Sequence, residues 1–248
     1  MNNNFYVFLQ DSVYQKGFFG TICEVDLSIN NDDYNLLHVV WKEVIRDQCY
    51  LQHGFDVDAG DVVVDVGANI GLFSRYALTR GASIVHAIEP HPTAFNCLAL
   101  NNSKSVNFHP YKFGLSDENK FINMHVGGYN KEYYFMADTL TEKTDNNYSY
   151  TIPAQLMTMD TLYMSGVLSK IDFLKVDIEG AEVSLFEGFS DENLKSVDKI
   201  AIEIHPMFTS GIPELKERLL SFFDIVYSDE QMYGDLSIIA YRRKRDVG

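Results

Sequence analysis

The chain has 248 residues, 46% hydrophobic and 22% charged, a balance that supports one sizeable α/β core and excludes intrinsic disorder. Its formal charge of -15 argues against nucleic acid as a partner, because that binding needs Lys and Arg to neutralise phosphates. A small neutral or cationic partner fits better, and the same acidity also serves solubility.

Met1-Asn2-Asn3-Asn4 lacks a basic stretch leading into an apolar run, and no segment approaches the roughly 18 apolar residues that span a bilayer. Cys23, Cys49 and Cys97 have no metal or redox spacing and read as packing residues in a reducing compartment. A cytoplasmic location without membrane contact is therefore expected. Residues 1–60, rich in aromatic and turn residues, are expected to form a cap or lid. A helix over Asp33 to Cys49 carries Leu36, Leu37, Val40, Trp41, Val44 and Ile45 at helical spacing. Residues 61–248 then form the main domain. Asp61 to Val66 is a β-branched run suited to a strand buried on both faces of a parallel sheet. A helix from Ile70 to Arg80 closes at Gly81, and Ser83 to Ile88 resumes a strand. Pro92 opens a second helix, with Phe95, Leu98 and Ala99 facing inward and Asn101-Asn102 at its end.

Short strands dominate Val106 to Val126, Gly127-Gly128 reads as a turn, and Thr139 to Tyr150 is a polar loop or plain surface connection. The α/β alternation returns with a strand at Ile171 to Ile178, a helix at Ala181 to Gly188 and a strand at Lys199 to Ile204. A helix from Pro213, strands at Asp224 to Tyr227 and Leu236 to Tyr241, and a solvated basic tail at Arg242 to Arg245 complete the chain.

Chemistry concentrates at strand ends. In Asp65-Val66-Gly67-Ala68-Asn69-Ile70-Gly71 a strand runs into a helix through glycines that permit sharp turning and close approach of a ligand. The spacing is not the G-x-G-x-x-G of nicotinamide enzymes, which disfavours an oxidoreductase. An acidic residue here suits an ammonium group rather than a phosphate, as in the methionine end of S-adenosylmethionine (SAM), with Asp65 holding it directly or through water. A structural turn is the competing reading. Glu89 ends the next strand 24 residues after Asp65, where a carboxylate can accept both ribose hydroxyls. Gly114-Leu115-Ser116-Asp117 is the candidate adenine site, with Leu115 against the ring and Ser116 or Asp117 near the amine, although an ordinary turn reads almost as well. Lys175, Asp177 and Glu179 alternate, which on a strand turns all three to one face. At the carboxyl edge of a sheet they suggest the floor of an active site, with Lys175 in a structural ion pair.

Taken with Glu89-Pro90, Met159-Asp160-Thr161-Leu162, Leu174 to Glu182 and Glu203-Ile204-His205, these motifs make the chain resemble the FkbM family of class I SAM-dependent methyltransferases from about Asp61 to Tyr241. The resemblance implies a Rossmann-like α/β fold: a seven-stranded, mostly parallel sheet with an antiparallel last strand and helices on both faces. It also implies SAM at the carboxyl ends of the strands, beside Asp65, Gly67, Ala68, Asn69, Gly71, Glu89, Pro90, His91, Gly114, Leu115, Ser116, Asp117 and Asp177. Family members usually methylate a hydroxyl of a polyketide, peptide, sugar or glycan, so the expected partner is a small molecule, free or carrier-bound. Residues 1–60 and the loop from Asp138 to Tyr150 match no family pattern, which leaves the acceptor and the oligomeric state open.

Methyl transfer is an in-line displacement in which alignment supplies most of the catalysis, and an aliphatic hydroxyl also benefits from a general base. His205, whose ordinary pKa lies near neutrality, is the expected base, with Asp177 or Glu179 as its orienter or substitute. Asp177, Glu179, Glu203 and His205 also suit a divalent cation, but they lack tight ligand spacing and no metal is expected. A SAM-binding protein of the same fold without catalysis is the alternative function.

Overall fold

A computed structural model describes residues 3–9, 21–29, 38, 40–127, 148–206, 208–229 and 237–244. The chain opens with an antiparallel pair, β1 (Asn4–Leu9) and β2 (Thr21–Asp26). The main sheet is then built from β3 (Val62–Val66), β4 (Ile84–Ile88) and β5 (Phe108–Tyr111). A smaller sheet interrupts it with β6 (Gly114–Leu115), β7 (Lys120–Gly127) and β8 (Tyr148–Met157). The main sheet resumes with β9 (Ile171–Val176), β10 (Val197–Ile204), β11 (Phe223–Asp229) and β12 (Ser237–Arg243). Its order is β11-β12-β10-β9-β3-β4-β5. Only β12 runs antiparallel to its neighbours. This is the seven-stranded, Rossmann-like arrangement the motifs implied.

Helices cover both faces because strand residues alternate between them. On one face Val63, Phe173 and Ala201 meet α1 (Leu72–Arg80) and α2 (Pro92–Asn102) through Phe73, Tyr76, Ala77, Cys97 and Leu98. On the other, Val64, Leu174, Ile200 and Ile202 meet α3 (Met159–Met164), α4 (Glu182–Glu187), α5 (Asp191–Leu194) and α6 (Ile212–Phe222). Residues ahead of β3 pack on the first face, where Phe5, Val7, Leu27, Val44, Tyr50 and Phe55 join the same apolar cluster. Arg75 of α1 fastens β1 by lying 3.8 Å over the Phe5 ring and donating to the Asn4 carbonyl at 2.7 Å. Cys49 and Cys97 are buried, in keeping with packing roles. The side chain of Cys23 lies outside the described residues. Among the described residues no helix is long and apolar enough to cross a membrane.

Several boundaries differ from expectation for local reasons. α1 starts at Leu72 rather than Ile70 because Asn69 and Gly71 adopt left-handed φ values of 48° and 89°. Of the helix expected over Asp33 to Cys49, residues 33–37 and 39 lie outside the described residues, and Lys42–Arg46 forms a π-helical turn. β9 stops at Val176, two residues early. Glu179 and Gly180 follow in a tight turn with φ of 51° and 102°, and a Cβ on Gly180 would lie 2.3 Å from that of Phe208. Lys175, Asp177 and Glu179 therefore do not share one strand face. Gly128 of the expected turn, the loop over residues 139–147 and the tail beyond Lys244 lie outside the described residues, while Gly127 ends β7, Tyr148 to Tyr150 begin β8, and Arg242 and Arg243 of the expected solvated tail end β12.

Gly67 shows how tightly the strand ends are drawn together. Its φ is +75°, and a Cβ there would lie 1.7 Å from the Asp177 carbonyl oxygen. Gly166 has the same φ of +75° with nothing within 4 Å. Gly166→Ala should therefore lose only the conformational term, about 1 kcal/mol. Gly67→Ala adds a backbone clash and should lose at least about 2 kcal/mol more, or fail to fold. Urea unfolding of both variants checks this; equal losses would mean that the two loops do not touch.

Candidate active site

The glycine loop is held from below by β4. The backbone N–H groups of Gly67 and Ala68 both donate to the Ile88 carbonyl at 3.0 Å. Glu89 Oε2 accepts from Asn69 N and Oε1 from His91 N, each at 2.8 Å. The Glu89 carboxyl thus bridges the loop after β3 to the start of α2, and burial raises its pKa to about 7 despite those two donors. Pro90 is half-buried beside it, and His91 caps α2 by accepting from Ala94 N at 3.3 Å through Nδ1. Burial lowers the His91 pKa to about 4, so its ring is neutral. Asn101 and Asn102 close α2 back onto the loop, donating to the carbonyls of Ile70 at 2.7 Å and Gly71 at 3.5 Å.

Asp65 and Lys175 are register partners on adjacent strands, so their side chains lie side by side on one face. Asp65 is fully buried, accepts from Ser74 Oγ at 2.6 Å and sits 3.6 Å from Lys175 Nζ. Its nearest ammonium is that of Lys175 and it has no exposed surface, so in this structure Asp65 supports the loop from behind rather than facing a ligand directly. Lys175 Nζ also donates to the Gly67 carbonyl at 3.1 Å and to Asp177 Oδ2 at 3.2 Å. Lys175 is thus in the structural ion pair read from the sequence.

The candidate adenine loop is built differently from its expected role. Leu115 is buried in the core with Val66 and Ile88, so it offers no face to a ring. Gly114 is buried with it in β6, and Ser116 Oγ donates to Asp117 Oδ1 at 2.7 Å. Asp117 also pairs with Lys120 at 3.2 Å, leaving it partly exposed at the loop surface.

Beyond Asp177 the same sheet edge gathers acids. His205, just past β10, is 3% exposed, with Nδ1 2.7 Å from Glu182 Oε1. Its Nε2 faces Glu179 at 3.4 Å and Glu203 at 3.8 Å. Burial alone would strip its proton, yet the Glu182 hydrogen bond and the charges of Glu179, Glu182 and Asp177 hold its pKa at about 10. The expectation of a free imidazole base near neutrality is thereby corrected, and Glu182 takes the orienting place expected of Asp177 or Glu179. Burial and mutual repulsion raise Glu179 and Glu203 to about 7. Burial also tends to raise Asp177, but Lys175 and His205 outweigh it and hold its pKa below the ordinary value.

Two further residues join from the segment ahead of β3. The Tyr50 hydroxyl lies 2.5 Å from Glu203 Oε2 and 3.2 Å from Asp177 Oδ2. Glu43 is raised to about 7 by burial and by the charges of Glu203 and Asp177. The sequence reading missed both, because neither lies in a motif or at a strand end.

Residues 65–231 match the Methyltransferase FkbM domain. The chain belongs to the FkbM methyltransferase family. It is 26% identical over 240 residues to the 31-O-demethyl-FK506 methyltransferase FkbM of Streptomyces tacrolimicus, spanning 84% of this chain and 90% of that one. It is 29% identical over 193 residues to the hexuronic acid methyltransferase AglP of Haloferax volcanii, spanning 77% and 74%. The solved structure of methyltransferase FkbM from Methylobacillus flagellatus shares the fold, with a TM-score of 0.53 and 15% identity over 87% of this chain and 56% of that one.

The Glu89 shift carries a signed consequence. Between the ordinary carboxyl pKa and about 7 the folded chain keeps a proton that the unfolded chain has released. Stability from this group therefore falls as pH rises through that window. Glu89→Gln cannot titrate, so its unfolding free energy relative to the parent should increase from about pH 4.5 to about pH 7. Urea unfolding at both limits measures it; a pH-independent difference would show that Glu89 titrates as an ordinary acid.

Proposed function

We propose that the chain transfers a methyl group from SAM to a hydroxyl oxygen of a small-molecule acceptor. The observation that carries this reading is a buried strand-end carboxylate, Glu89, joined through the glycine loop and Lys175 to a cluster of acids on the neighbouring strands. Glu89 suits a ribose: each of its oxygens accepts one backbone N–H, and a carboxylate oxygen retains capacity for a second donor. Gly67, Ala68, Asn69 and Gly71 shape the loop beside it, with Pro90 and His91 at the start of α2. When bound, SAM supplies an electrophilic methyl on a positive sulfur.

The remaining chemistry falls to the chain's own residues. The carboxylates of Asp177 and Glu203 are held in place by Tyr50 and orient an acceptor hydroxyl. With His205 protonated, Glu179 is the proton acceptor, because a carboxylate with a pKa of about 7 is well matched to general-base work at neutral pH. An oxygen acceptor is further supported by the relative named for a 31-O position. The acidic surface favours a neutral or cationic small molecule over nucleic acid.

Calorimetric titration with SAM should give one site per chain, and Glu89→Ala should weaken it at least tenfold. Transfer of labelled methyl to hydroxylated polyketides and sugars should appear, and Glu179→Gln should lower kcat by about a hundredfold or more while leaving SAM affinity intact. SAM binding with no labelled product from any such acceptor would identify a binding protein instead, and no SAM binding would sink the reading altogether.

A further inference from the structure

We infer that Asp177, Glu203 and His205 form a divalent-cation site at the carboxyl ends of β9 and β10. One ligand atom from each residue can be chosen so that all three lie within 4.8 Å of one another. Opposite donors on an ion bound at ~2.0–2.6 Å are ~4–5 Å apart and adjacent ones closer, so binding draws the three side chains somewhat together. Asp177 follows the end of β9, Glu203 lies near the end of β10 and His205 follows it, and these two strands are adjacent and parallel. That explains the lack of tight spacing in the sequence: the sheet, not a local motif, brings the ligands together.

The imidazole is oriented from behind. Glu182 Oε1 accepts from Gly180 N at 3.0 Å as well as facing His205 Nδ1 at 2.7 Å. This contact fixes the ring with Nδ1 toward Glu182 and Nε2 toward the acids. Its contacts there, 3.4 Å to Glu179 and 3.8 Å to Glu203, lack hydrogen-bond geometry although the ring is 3% exposed. A buried carboxylate behind an imidazole whose far nitrogen faces acids is the arrangement that fixes histidine ligands on metals. A cation takes the place of the Nε2 proton.

The carboxylates are arranged in a complementary way. Tyr50 engages Glu203 Oε2 and Asp177 Oδ2, and Lys175 also engages Asp177 Oδ2. Asp177 Oδ1 and Glu203 Oε1 make no hydrogen bond among the described residues, so each residue keeps one oxygen for a ligand role. The ammonium of Lys175 is shared with the Gly67 carbonyl and Asp65 and cannot neutralise the whole group. Two carboxylates and one imidazole suit Mn2+ or Mg2+, with the remaining positions filled by water or an acceptor oxygen. Its role in holding an acceptor hydroxyl rests on the methyl-transfer reading; the site itself does not.

Electron paramagnetic resonance titration of the chelator-treated full chain with Mn2+ tests the proposal. One ion should bind per chain, and Asp177→Asn and Glu203→Gln should each weaken it at least tenfold. Glu182→Gln should weaken it by about tenfold or more through the imidazole, while Glu187→Gln, on the exposed side of α4, should leave it unchanged. Absence of submillimolar binding by the parent chain, or binding indifferent to Asp177 and Glu203, overturns the site. Parallel SAM titrations separate the two readings: SAM binding without Mn2+ defeats the cation site alone, and Mn2+ binding without SAM defeats the cofactor reading alone.

Discussion

The contact between Gly67 and the backbone of Asp177 is the constraint on which the rest of the site depends. The loops leaving β3 and β9 meet with no room for a side chain, and Asp177 N donates to the Val66 carbonyl at 3.1 Å across the same seam. Lys175 lies just beneath, touching Asp65, the Gly67 carbonyl and Asp177. Its charge offsets the cost of burying Asp65, while its remaining donors tie the two loops into one body. The glycine loop and the acid cluster are consequently joined through one lysine.

Electrostatics follow from that closeness. Once Asp177 is pinned, Glu203 stands next to it on β10, and burial, reinforced by the charge of Asp177, raises the protonation of Glu203, Glu179 and Glu43. His205 responds in the opposite sense and keeps its proton. The carboxyl edge of the sheet is therefore a place where protons are shared among several groups, and the behaviour of any one cannot be read from its residue type.

Much of the frame was legible in the sequence because its signals are local. Val62 to Val66, Ile84 to Ile88 and Ile171 to Val176 are apolar runs bounded by turns, and Gly67, Gly71 and Gly81 mark conformations that other residues adopt at a cost. The place of Glu89 just past β4 was legible for the same reason, though its bonds to Asn69 and His91 were not. The roles of Asp65, Leu115 and His205 were not, because they depend on what lies across the sheet: Ser74 and Lys175 for the first, Val66 and Ile88 for the second, Glu182 for the third. Tyr50 was invisible because its partners are 127 and 153 residues away.

The position of Tyr50 bears on how such a chain diversifies. The part that matches the family begins at residue 65, yet the phenol that grips two of the site's carboxylates, and the acid at position 43, come from upstream of it. The acid cluster and the phenol that holds it are thus written in separate stretches, so sequence change ahead of residue 65 reaches Asp177 and Glu203 without touching the glycine loop or Lys175.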